Sequence, residues 1–510
     1  MTTLVVNHRR AQGVPGRTLF ESAESVGVRV PTSCVEQGKC RECLLEIEDG
    51  EGYLSPRTEE EAHLGEGFRL ACRARVLESD EGVVRCHTMR RGTLRIVDDA
   101  SGLAPLPVEP RPGFGLAMDV GTTTVGLRLY DLVSGQLRAS ESFENPQRFG
   151  GSDIMARIHY DTTHKGRLLQ RTLLGYLRQS LERLPVPAEE IVELVVAGNS
   201  TMRDLFFGLD VHTIGQKPYR STHEASLTVS ARKLRLPLHE DAVVYGLPII
   251  GSHVGADAAA GLLATGFHDR PGVSILMDIG TNTELVVGGR ERLVAASCPA
   301  GPAFEGGGVQ HGMPALAGAI ERVSFDAEGN VELGVVGESE PRGICGSGLI
   351  DLMGELVRTN RMNAQGRFVE GLERVQLTKD VSFGEPDVNE LAQAKGANVA
   401  GLEIVRDVMG FELDDVERFY LAGGFARHLD LDAARRIGLI PELADDKVSV
   451  VGNAALEGAS QALLAPSCRP GLEQTVSRIG HVELETHPAF FDYFVEGCQF
   501  VPIGAEVLDA

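Results

Sequence analysis

The chain has 510 residues and a formal net charge of −23, with 43% hydrophobic residues, 60 glycines and no tryptophan. This length allows two to four domains with large cores, and the glycine content fits an α/β protein rich in turns. The negative charge argues against nucleic acid and anionic membrane surfaces as partners. The N-terminus runs into charged residues without a long apolar core, and no apolar run could span a bilayer. We therefore predict a soluble, cytoplasmic protein.

The nine cysteines are unevenly spread, and four of them crowd the N-terminal part of the chain. Cys34, Cys40 and Cys43 have the spacing C-x5-C-x2-C, and Cys72 follows far downstream. Clustered cysteines in a cytoplasmic protein indicate a metal more often than disulfides. Four thiolates in this order can hold a [2Fe–2S] cluster. One alternative is a four-cysteine zinc site, but it normally has two close pairs and the second pair is missing. The other alternative is random clustering of cysteines. Cys86 lies beyond the set and is interpreted as an ordinary small residue.

The elements around these cysteines resemble the β-grasp ferredoxin family over residues 1–91. A strand is predicted at Thr3–Val6 and a short helix over 18–27, where Thr18 and Glu21 have capping-box spacing. The loop is one residue longer than the plant-type C-x4-C-x2-C and is similar to vertebrate-type and bacterial relatives. The resemblance implies a [2Fe–2S] electron carrier.

Residues 92–114 contain four prolines between small and polar residues and are predicted to form an extended, semi-stiff linker. Such a linker suits a tether that lets the electron carrier swing between partners. It equally suits a strap laid along the next domain, and both interpretations stay open.

Two strand-Asp-x-Gly-Thr segments follow the linker. The second, Asp278-Ile-Gly-Thr-Asn-Thr-Glu, ends an apolar run predicted as a buried strand, and the first, Asp119-Val-Gly-Thr-Thr-Thr, lies about 160 residues earlier. Glycine permits a close approach of backbone to phosphate, Thr and Asn add donors, and Asp can hold a metal ion. One such turn is also compatible with a plain hairpin, but two copies suggest two similar lobes facing one nucleotide. The candidate phosphate-binding residues are Gly121, Thr122, Thr123, Gly280, Thr281 and Asn282.

Three further segments are candidates for the nucleotide site. Asp257 lies near the start of a predicted helix, where it either caps the helix, the preferred interpretation, or positions a water for attack on phosphate. The glycine-rich loop containing Gly306 and Gly307 follows the second hairpin and allows close backbone approach. Gly423 and Gly424 follow a strand and suit an adenine ring lying flat against backbone.

Two polar positions receive more ordinary interpretations. Asn199 ends a predicted strand over 191–199 and is expected to make a polar contact there. Cys345 precedes another apolar helix and is expected to be a small core residue beside Gly346.

No P-loop and no Rossmann fingerprint is apparent. The two Asp-x-Gly-Thr turns and the segment Leu421-Ala-Gly-Gly-Phe form three motifs. In this order they resemble the superfamily of acetate and sugar kinases, heat-shock chaperone ATPases and actin over about residues 115–465. The resemblance implies a two-lobed actin-like (ribonuclease H-like) ATPase with lobes at 115–250 and 251–510, and hence an α/β multidomain fold overall. It also implies that Asp119 and Asp278 bind Mg²⁺ or position water and that Gly423 and Gly424 bind adenosine.

The whole chain resembles the reductive activators of corrinoid proteins. The segments that carry this resemblance are Gly198-Asn-Ser-Thr-Met, Val254-Gly-Ala-Asp, Gly301-Pro-Ala-Phe-Glu-Gly and Ile344-Cys-Gly-Ser-Gly-Leu. The resemblance implies one-electron, ATP-dependent return of Co(II) to Co(I) in a corrinoid methyl-transfer protein. It implies a [2Fe–2S] cluster, ATP and Mg²⁺ as cofactors and an upstream low-potential electron donor, and it leaves a homodimer open. Some members carry a further domain after the ferredoxin or C-terminal [4Fe–4S] clusters, but here the linker reaches Asp119 directly, and Cys468 and Cys498 lack the spacing for a cluster.

Three alternatives belong to other functional classes. An ATP-driven electron donor to a dehydratase or another low-potential acceptor is one, although the dehydratase activators use a [4Fe–4S] cluster between subunits. A small-molecule kinase with a redox-sensing ferredoxin domain predicts a phosphorylated product, whereas an activator predicts free phosphate. In a non-enzymatic redox switch, neither ATP turnover nor corrinoid matters.

Overall fold

The computed structural model describes residues 2–504 except positions 33, 35, 80, 90–102, 104–106, 252, 338, 370 and 425. Most of the predicted linker, at 92–102 and 104–106, therefore lies outside the described residues. The described residues form two compact units: the first lies within 2–89 and 108–247, and the second lies within 248–504 and includes Leu103 and Pro107. No helix in this described part is both long and apolar enough to cross a bilayer.

The N-terminal part of the first unit is a five-stranded sheet with one helix. Its elements are β1 (Thr3–Val6), β2 (Arg9–Gln12), α1 (Leu19–Ser25), β3 (Leu44–Asp49), β4 (Phe68–Leu70) and β5 (Val83–His87). The strand order is β2-β1-β5-β3-β4, with β1 parallel to β5 and β3 antiparallel to it. The predicted capping box is confirmed, because the Thr18 side chain accepts from the Glu21 N–H while Glu21 accepts from the Thr18 backbone. This is the β-grasp arrangement expected for the ferredoxin domain.

The rest of the first unit is built on a six-stranded sheet. Its elements are β6 (Phe114–Val120), β7 (Thr124–Asp131), β8 (Leu137–Glu144), α2 (Ile154–Thr163), α3 (Leu168–Leu181), β9 (Ile191–Ala197), α4 (Ser200–Phe207), β10 (Leu227–Ser230) and β11 (Val243–Gly246). The order is β10-β11-β9-β6-β7-β8, in which β6, β7 and β8 form an antiparallel meander and β9 runs parallel beside β6. One hydrophobic core continues from the β-grasp sheet into this sheet.

The second unit repeats the same meander. Its elements are α5 (Ala256–Thr265), β12 (Val273–Ile279), β13 (Thr283–Gly288), β14 (Leu293–Cys298), β15 (Ala319–Phe325), β16 (Val331–Val335), β17 (Gly343–Ile344), α6 (Gly346–Arg358), β18 (Arg374–Gln376), β19 (Ser382–Gly384), α7 (Glu385–Met409), β20 (Val416–Ala422), α8 (Leu431–Arg436), β21 (Val448–Gly452), α9 (Ala454–Leu464), α10 (Arg469–Val476), β22 (Gly480–His481) and α11 (Phe490–Gly497). The main sheet has the order β21-β20-β12-β13-β14-β22. Here β12, β13 and β14 form the meander and β20 runs parallel beside β12, as β9 does beside β6. The repeat matches the two-lobed actin-like ATPase fold, and each lobe places its Asp-x-Gly-Thr turn between the first two strands of its meander.

Candidate functional site

The loop that carries three of the cysteines lies between α1 and β3 and turns sharply. Three residues of the loop have left-handed backbone conformations, which let the chain turn tightly: Glu36, Gly38 and Arg41, with φ angles of 60°, 71° and 62°. Cys43 directly precedes β3, and Cys72 lies two residues after β4, the strand that pairs with β3. The pairing of β3 with β4 therefore brings the distant fourth cysteine to the loop.

The thiols of Cys43 and Cys72 form a close pair. Their sulfur atoms lie 3.4 Å apart, and both side chains are buried. The hydrogen bond from Cys43 lowers the pKa of Cys72 to about 7, while donating that bond and being buried raises the pKa of Cys43. Burial opposes ionisation of Cys34, but hydrogen bonds from the Cys40 backbone and side chain outweigh it and hold its pKa below the usual value. The four cysteines are thus arranged as two pairs, Cys43 with Cys72 and Cys34 with Cys40.

This pairing fits a [2Fe–2S] cluster better than a single ion. Among the described residues, no three or more His, Cys, Asp or Glu side chains surround one metal position. A zinc ion needs four ligands around one centre, whereas the two irons of a [2Fe–2S] cluster share four thiolates, two to each iron. Cys86 is outside the set in β5, and burial raises its pKa to about 12, in agreement with its interpretation as an ordinary small residue.

The first Asp-x-Gly-Thr turn joins β6 to β7. Asp119 is half-buried at the end of β6, and Thr122 is buried in the turn. The turn is supported from both sides by amides: Asn145 donates to the Gly121 carbonyl at 2.8 Å, and Asn199 donates to the Thr122 hydroxyl at 2.9 Å. The polar contact predicted for Asn199 is therefore confirmed, and its carbonyl oxygen also caps α4.

The second turn joins β12 to β13 and shares a sheet edge with the Gly-Gly segment. Asp278 is in register with Ala422 of the parallel strand β20, so the ends of β12 and β20 coincide. Gly423 has a φ of 123°, and a Cβ there would collide with the Ile279 carbonyl. Gly424 is exposed, and a Cβ on it would meet no atom within 4 Å. The structure thus places the second hairpin beside Gly423 and leaves the face of Gly424 open.

Three acidic side chains, those of Asp257, Asp278 and Glu284, lie near one another at the second hairpin. Glu284 is the direct cross-strand neighbour of Asp278 and is buried. Burial, followed by the charges of Asp257 and Asp278, raises the pKa of Glu284 well above its ordinary value of 4.5. Two carboxylates that oppose the ionisation of a third form, together with it, an arrangement that a divalent cation would stabilise.

The capping role preferred for Asp257 is wrong. The N-cap of α5 is Gly255, and the helix begins at Ala256, so Asp257 lies inside the first turn. Its carboxylate accepts from the next residue, Ala258, at 2.8 Å. An acidic side chain in the first turn is favoured by the helix dipole, which explains the residue type without a cap.

The glycine-rich loop is held close to the second hairpin by one side chain. Glu305 ends the short 3-10 turn Pro302–Glu305 and accepts from the Thr281 hydroxyl at 2.6 Å. Gly306 has a φ of 87°, and a Cβ there would lie 2.5 Å from the Met313 nitrogen. The glycine at 306 is therefore already required by packing within the loop.

Sequence reasoning missed three participants of these sites: Glu284, Glu305 and Asn145. Glu284 was detectable, because the three-residue turn Gly280–Asn282 between strands puts it opposite Asp278. Glu305 and Asn145 carried no signal, because each reaches its partner across more than twenty residues. Cys345, in contrast, is the small buried residue expected, and its thiol donates to the Ile320 carbonyl at 3.4 Å.

Replacing Glu284 with glutamine should stabilise the protein in the absence of nucleotide and Mg²⁺. Because the folded-state pKa is raised, the folded state binds more protons, and the free energy of unfolding falls as pH rises above about 4.5. Glutamine mimics the protonated carboxyl and removes this cost. We expect an unfolding temperature about 2–4 °C above wild type at pH 8, with the difference shrinking towards pH 5.

The exposed Glu291, at the β13–β14 turn, gives a matched control as Glu291→Gln and should leave the unfolding temperature unchanged. A Glu284→Gln protein that unfolds earlier than wild type at pH 8 would mean that Glu284 is ionised and held by a partner.

Comparisons with known proteins divide the chain into three matched regions. Residues 6–77 match the 2Fe-2S iron-sulfur cluster binding domain, residues 114–270 match the RACo middle region, and residues 272–509 match the C-terminal domain of RACo, the ASKHA domain. ASKHA denotes the acetate and sugar kinase, heat-shock protein and actin superfamily. The chain is therefore an iron–sulfur protein of the ferredoxin type joined to an actin-like ATPase.

The names of three similar proteins all refer to the activation or reduction of corrinoid proteins. The "Corrinoid activation enzyme RamQ" of Eubacterium limosum is 30% identical over 453 residues, covering 82% of this chain and 75% of the relative. The "[Co(II) methylated amine-specific corrinoid protein] reductase" of Methanosarcina barkeri is 24% identical and covers 75% and 76%. A solved structure of a "Reductive activator for corrinoid,iron-sulfur protein" is 28% identical, with a TM-score of 0.71 and 98% of each chain covered. The chain belongs to the family of ATP-dependent reductive activators of corrinoid proteins.

Proposed function

We propose that this protein uses ATP to return the Co(II) corrinoid of a methyl-transfer protein to Co(I) by one electron. The observation that carries the proposal is the pairing of a four-cysteine ferredoxin domain with an actin-like ATPase in one chain. The likeness to relatives named for corrinoid activation and for reduction of a Co(II) corrinoid protein supports it. An upstream low-potential reductant supplies the electron, and ATP and water become ADP and phosphate.

We place the protein in the cytoplasm, without nucleic acid or membrane as a partner, and leave a homodimer as the assembly to test.

The cluster-binding residues of the proposal are the two thiol pairs. Cys34 with Cys40, and Cys43 with Cys72, would supply the four thiolate ligands of the cluster, and the lowered pKa of Cys72 favours its thiolate near neutral pH. When bound, a [2Fe–2S] cluster of this kind supplies single electrons at low potential. These residues also exclude water from the site, because three of the four cysteine side chains, those of Cys40, Cys43 and Cys72, are buried.

The nucleotide-binding part of the proposal rests on the two hairpins and the Gly-Gly segment. We assign phosphate contacts to Gly121, Thr122, Thr123, Gly280, Thr281, Asn282, Gly306 and Gly307, and adenosine contacts to Gly423 and Gly424. Asp119 and Asp278 hold Mg²⁺ or orient the attacking water. Asp257, which is not the N-cap of α5, assists in positioning that water. The raised pKa of Glu284 supports a cation beside Asp278, since the added positive charge would relieve the repulsion.

The proposed domains are the ferredoxin domain at 1–91, the linker at 92–114 and the two ATPase lobes at 115–250 and 251–510. Each Asp-x-Gly-Thr turn then belongs to one lobe, and the cysteine set belongs entirely to the ferredoxin domain.

ATP is needed because the electron transfer runs uphill. A plant-type cluster has a potential of about −400 mV, and Co(I) is harder to reach than this. For one electron, each ~59 mV uphill costs about 1.4 kcal/mol. ATP offsets that cost only through binding: one nucleotide state favours a complex in which Co(II) loses an axial ligand and becomes easier to reduce, and the other state releases the partner.

The test is an anaerobic reaction between the reduced protein and a Co(II) corrinoid methyl-transfer protein from the same organism. The Co(I) absorption band should grow only with Mg-ATP, and free phosphate should accumulate. No Co(I) band with several corrinoid proteins, despite an intact cluster and ATP hydrolysis, would contradict the corrinoid as acceptor and favour another low-potential acceptor. A phosphorylated small molecule in place of free phosphate would favour the kinase alternative.

A further inference from the structure

Helix α3 of the actin-like lobe lies directly against the cysteine loop of the ferredoxin domain. Both belong to the same compact unit and share one hydrophobic core. The Tyr176 hydroxyl donates to the Leu44 carbonyl at 3.4 Å, and the Thr172 hydroxyl donates to the Arg41 carbonyl at 3.5 Å. The loop that carries three cluster ligands is therefore packed on a helix from another domain.

An ion pair and a glycine hold this helix in place. Arg178 donates to the buried carboxylate of Glu42 at 2.9 Å. Gly175 lies one turn earlier on the same face of α3, and a Cβ there would lie only 2.8 Å from the Glu42 Cγ. Glu42 sits between Cys40 and Cys43, so this contact fixes the middle of the C-x2-C segment.

Arg171 lies on the same face of α3 as Gly175 and Arg178 and binds the backbone of the cysteine loop. Its guanidinium donates to the carbonyls of Lys39 and Cys40 at 3.1 and 3.3 Å. Within the described part of the chain, Arg171 pairs with no carboxylate, so these two carbonyls are what its charge engages. The Lys39 carbonyl and the Cys40 N–H belong to one planar trans peptide and point in opposite directions. On its other side, that peptide directs the Cys40 N–H at the Cys34 sulfur.

We propose that Arg171 is a positioning residue of the electron-transfer site: by holding the Lys39 carbonyl, it aims the Cys40 N–H at the Cys34 sulfur and so favours the reduced cluster. Hydrogen bonds to ligand sulfurs stabilise the more negative state and raise the reduction potential. The positive charge of Arg171, an exposed residue, acts in the same direction. The inference rests on the proposed function only in requiring that the cysteines hold a [2Fe–2S] cluster.

The experiment measures the reduction potential of the cluster in the full-length protein by spectroelectrochemical titration, without ATP or corrinoid. Arg171→Met should make reduction about threefold to tenfold less favourable, which is a negative shift of ~30–60 mV at ~59 mV per tenfold. Arg171→Lys, which keeps the charge and a donor, should recover part of the shift. The matched control is Arg183→Met, because Arg183 lies just beyond α3 and pairs with Glu141 instead; its potential should equal that of wild type.

A second variant tests the same interface between α3 and the cysteine loop without changing Arg171. Gly175→Ala should push α3 away from Glu42, loosen the Arg171 contacts on the same helix face and shift the potential in the same direction. Adding it to Arg171→Met should give less than the sum of the two shifts, because both variants weaken that interface. Backbone amides at 37–40 should exchange hydrogen faster in both variants and at the wild-type rate in Arg183→Met.

An unchanged or more positive potential in Arg171→Met overturns the proposal. If that variant assembles no cluster, Gly175→Ala decides, and a wild-type potential there overturns it equally. These results are independent of Co(I) formation. Failure of the corrinoid assay with a normal Arg171 shift would reject the proposed function alone, and the reverse outcome would reject only the positioning role.

Discussion

Replacing Cys43 with serine should abolish Co(I) formation while leaving ATP hydrolysis intact. Cys43 is 1% exposed and its sulfur lies 3.4 Å from that of Cys72, so the substitution breaks one of the two thiol pairs. Serine has no comparable anion near neutral pH and is a poor ligand for iron, which prefers thiolate in such clusters. We expect loss of the cluster absorption, at least a hundredfold slower Co(I) formation, and ATP hydrolysis within about twofold of wild type.

Cys86→Ser is the matched control for this prediction. Cys86 is also buried in the ferredoxin domain, but it lies in β5 outside the two pairs. Its variant should keep the cluster and the reaction. Normal iron content and electron transfer in Cys43→Ser would reject the ligand assignment. Loss of the cluster in both variants would point to unfolding of the domain instead of loss of a ligand.

The 2Fe-2S domain was predictable, and the four cysteines could be proposed as its ligands, because the chemistry of such a site is local in the sequence. Three ligands fall within ten residues, and cysteine is the residue type on which the interpretation depends, so spacing alone separated a [2Fe–2S] site from most zinc sites. The structure added what spacing does not contain, namely the two pairs and the approach of α3 through Gly175, Arg171 and Arg178. Those contacts join segments more than 130 residues apart.

The actin-like lobes were predictable because each begins with the same pattern of strand, Asp-x-Gly-Thr turn and strand. The error at Asp257 came from the helix boundary: capping depends on which residue leaves the helical conformation, and the glycine two positions earlier does so. The ligand role of Gly306 stays a prediction. Composition cannot distinguish a glycine needed by a ligand from one needed for close packing, and a Cβ at Gly306 would collide with the backbone of Gly312 and Met313 in the same loop.

The two halves of the proposed mechanism can be separated by one substitution in each. Cys43→Ser removes the electron carrier and spares the ATPase, so a complementary variant should stop ATP turnover and spare the carrier. Asp278 is suited to this because it ends β12 beside Glu284 and Ala422, in a unit that contains none of the four cluster cysteines.

Asp278→Asn should lower ATP hydrolysis by about a hundredfold or more, because it removes a charge placed to hold Mg²⁺ or orient water at the phosphates. Asparagine has nearly the same volume, and losing one of three neighbouring carboxylates relieves repulsion, so the fold should not be weakened. Iron content and reduction potential should match wild type, while Co(I) formation should fall to the level seen without ATP. The measurements are phosphate release, spectroelectrochemical titration and the anaerobic Co(I) assay on one preparation.

Asp269→Asn serves as the control, because Asp269 lies shortly before β12 with its side chain 84% exposed. Undiminished phosphate release in Asp278→Asn would reject its place at the nucleotide. A more informative contradiction would be lost ATP hydrolysis with unchanged Co(I) formation. Electron transfer would then run without the nucleotide cycle, and the ATPase would have to serve a later step, such as release of the reduced partner.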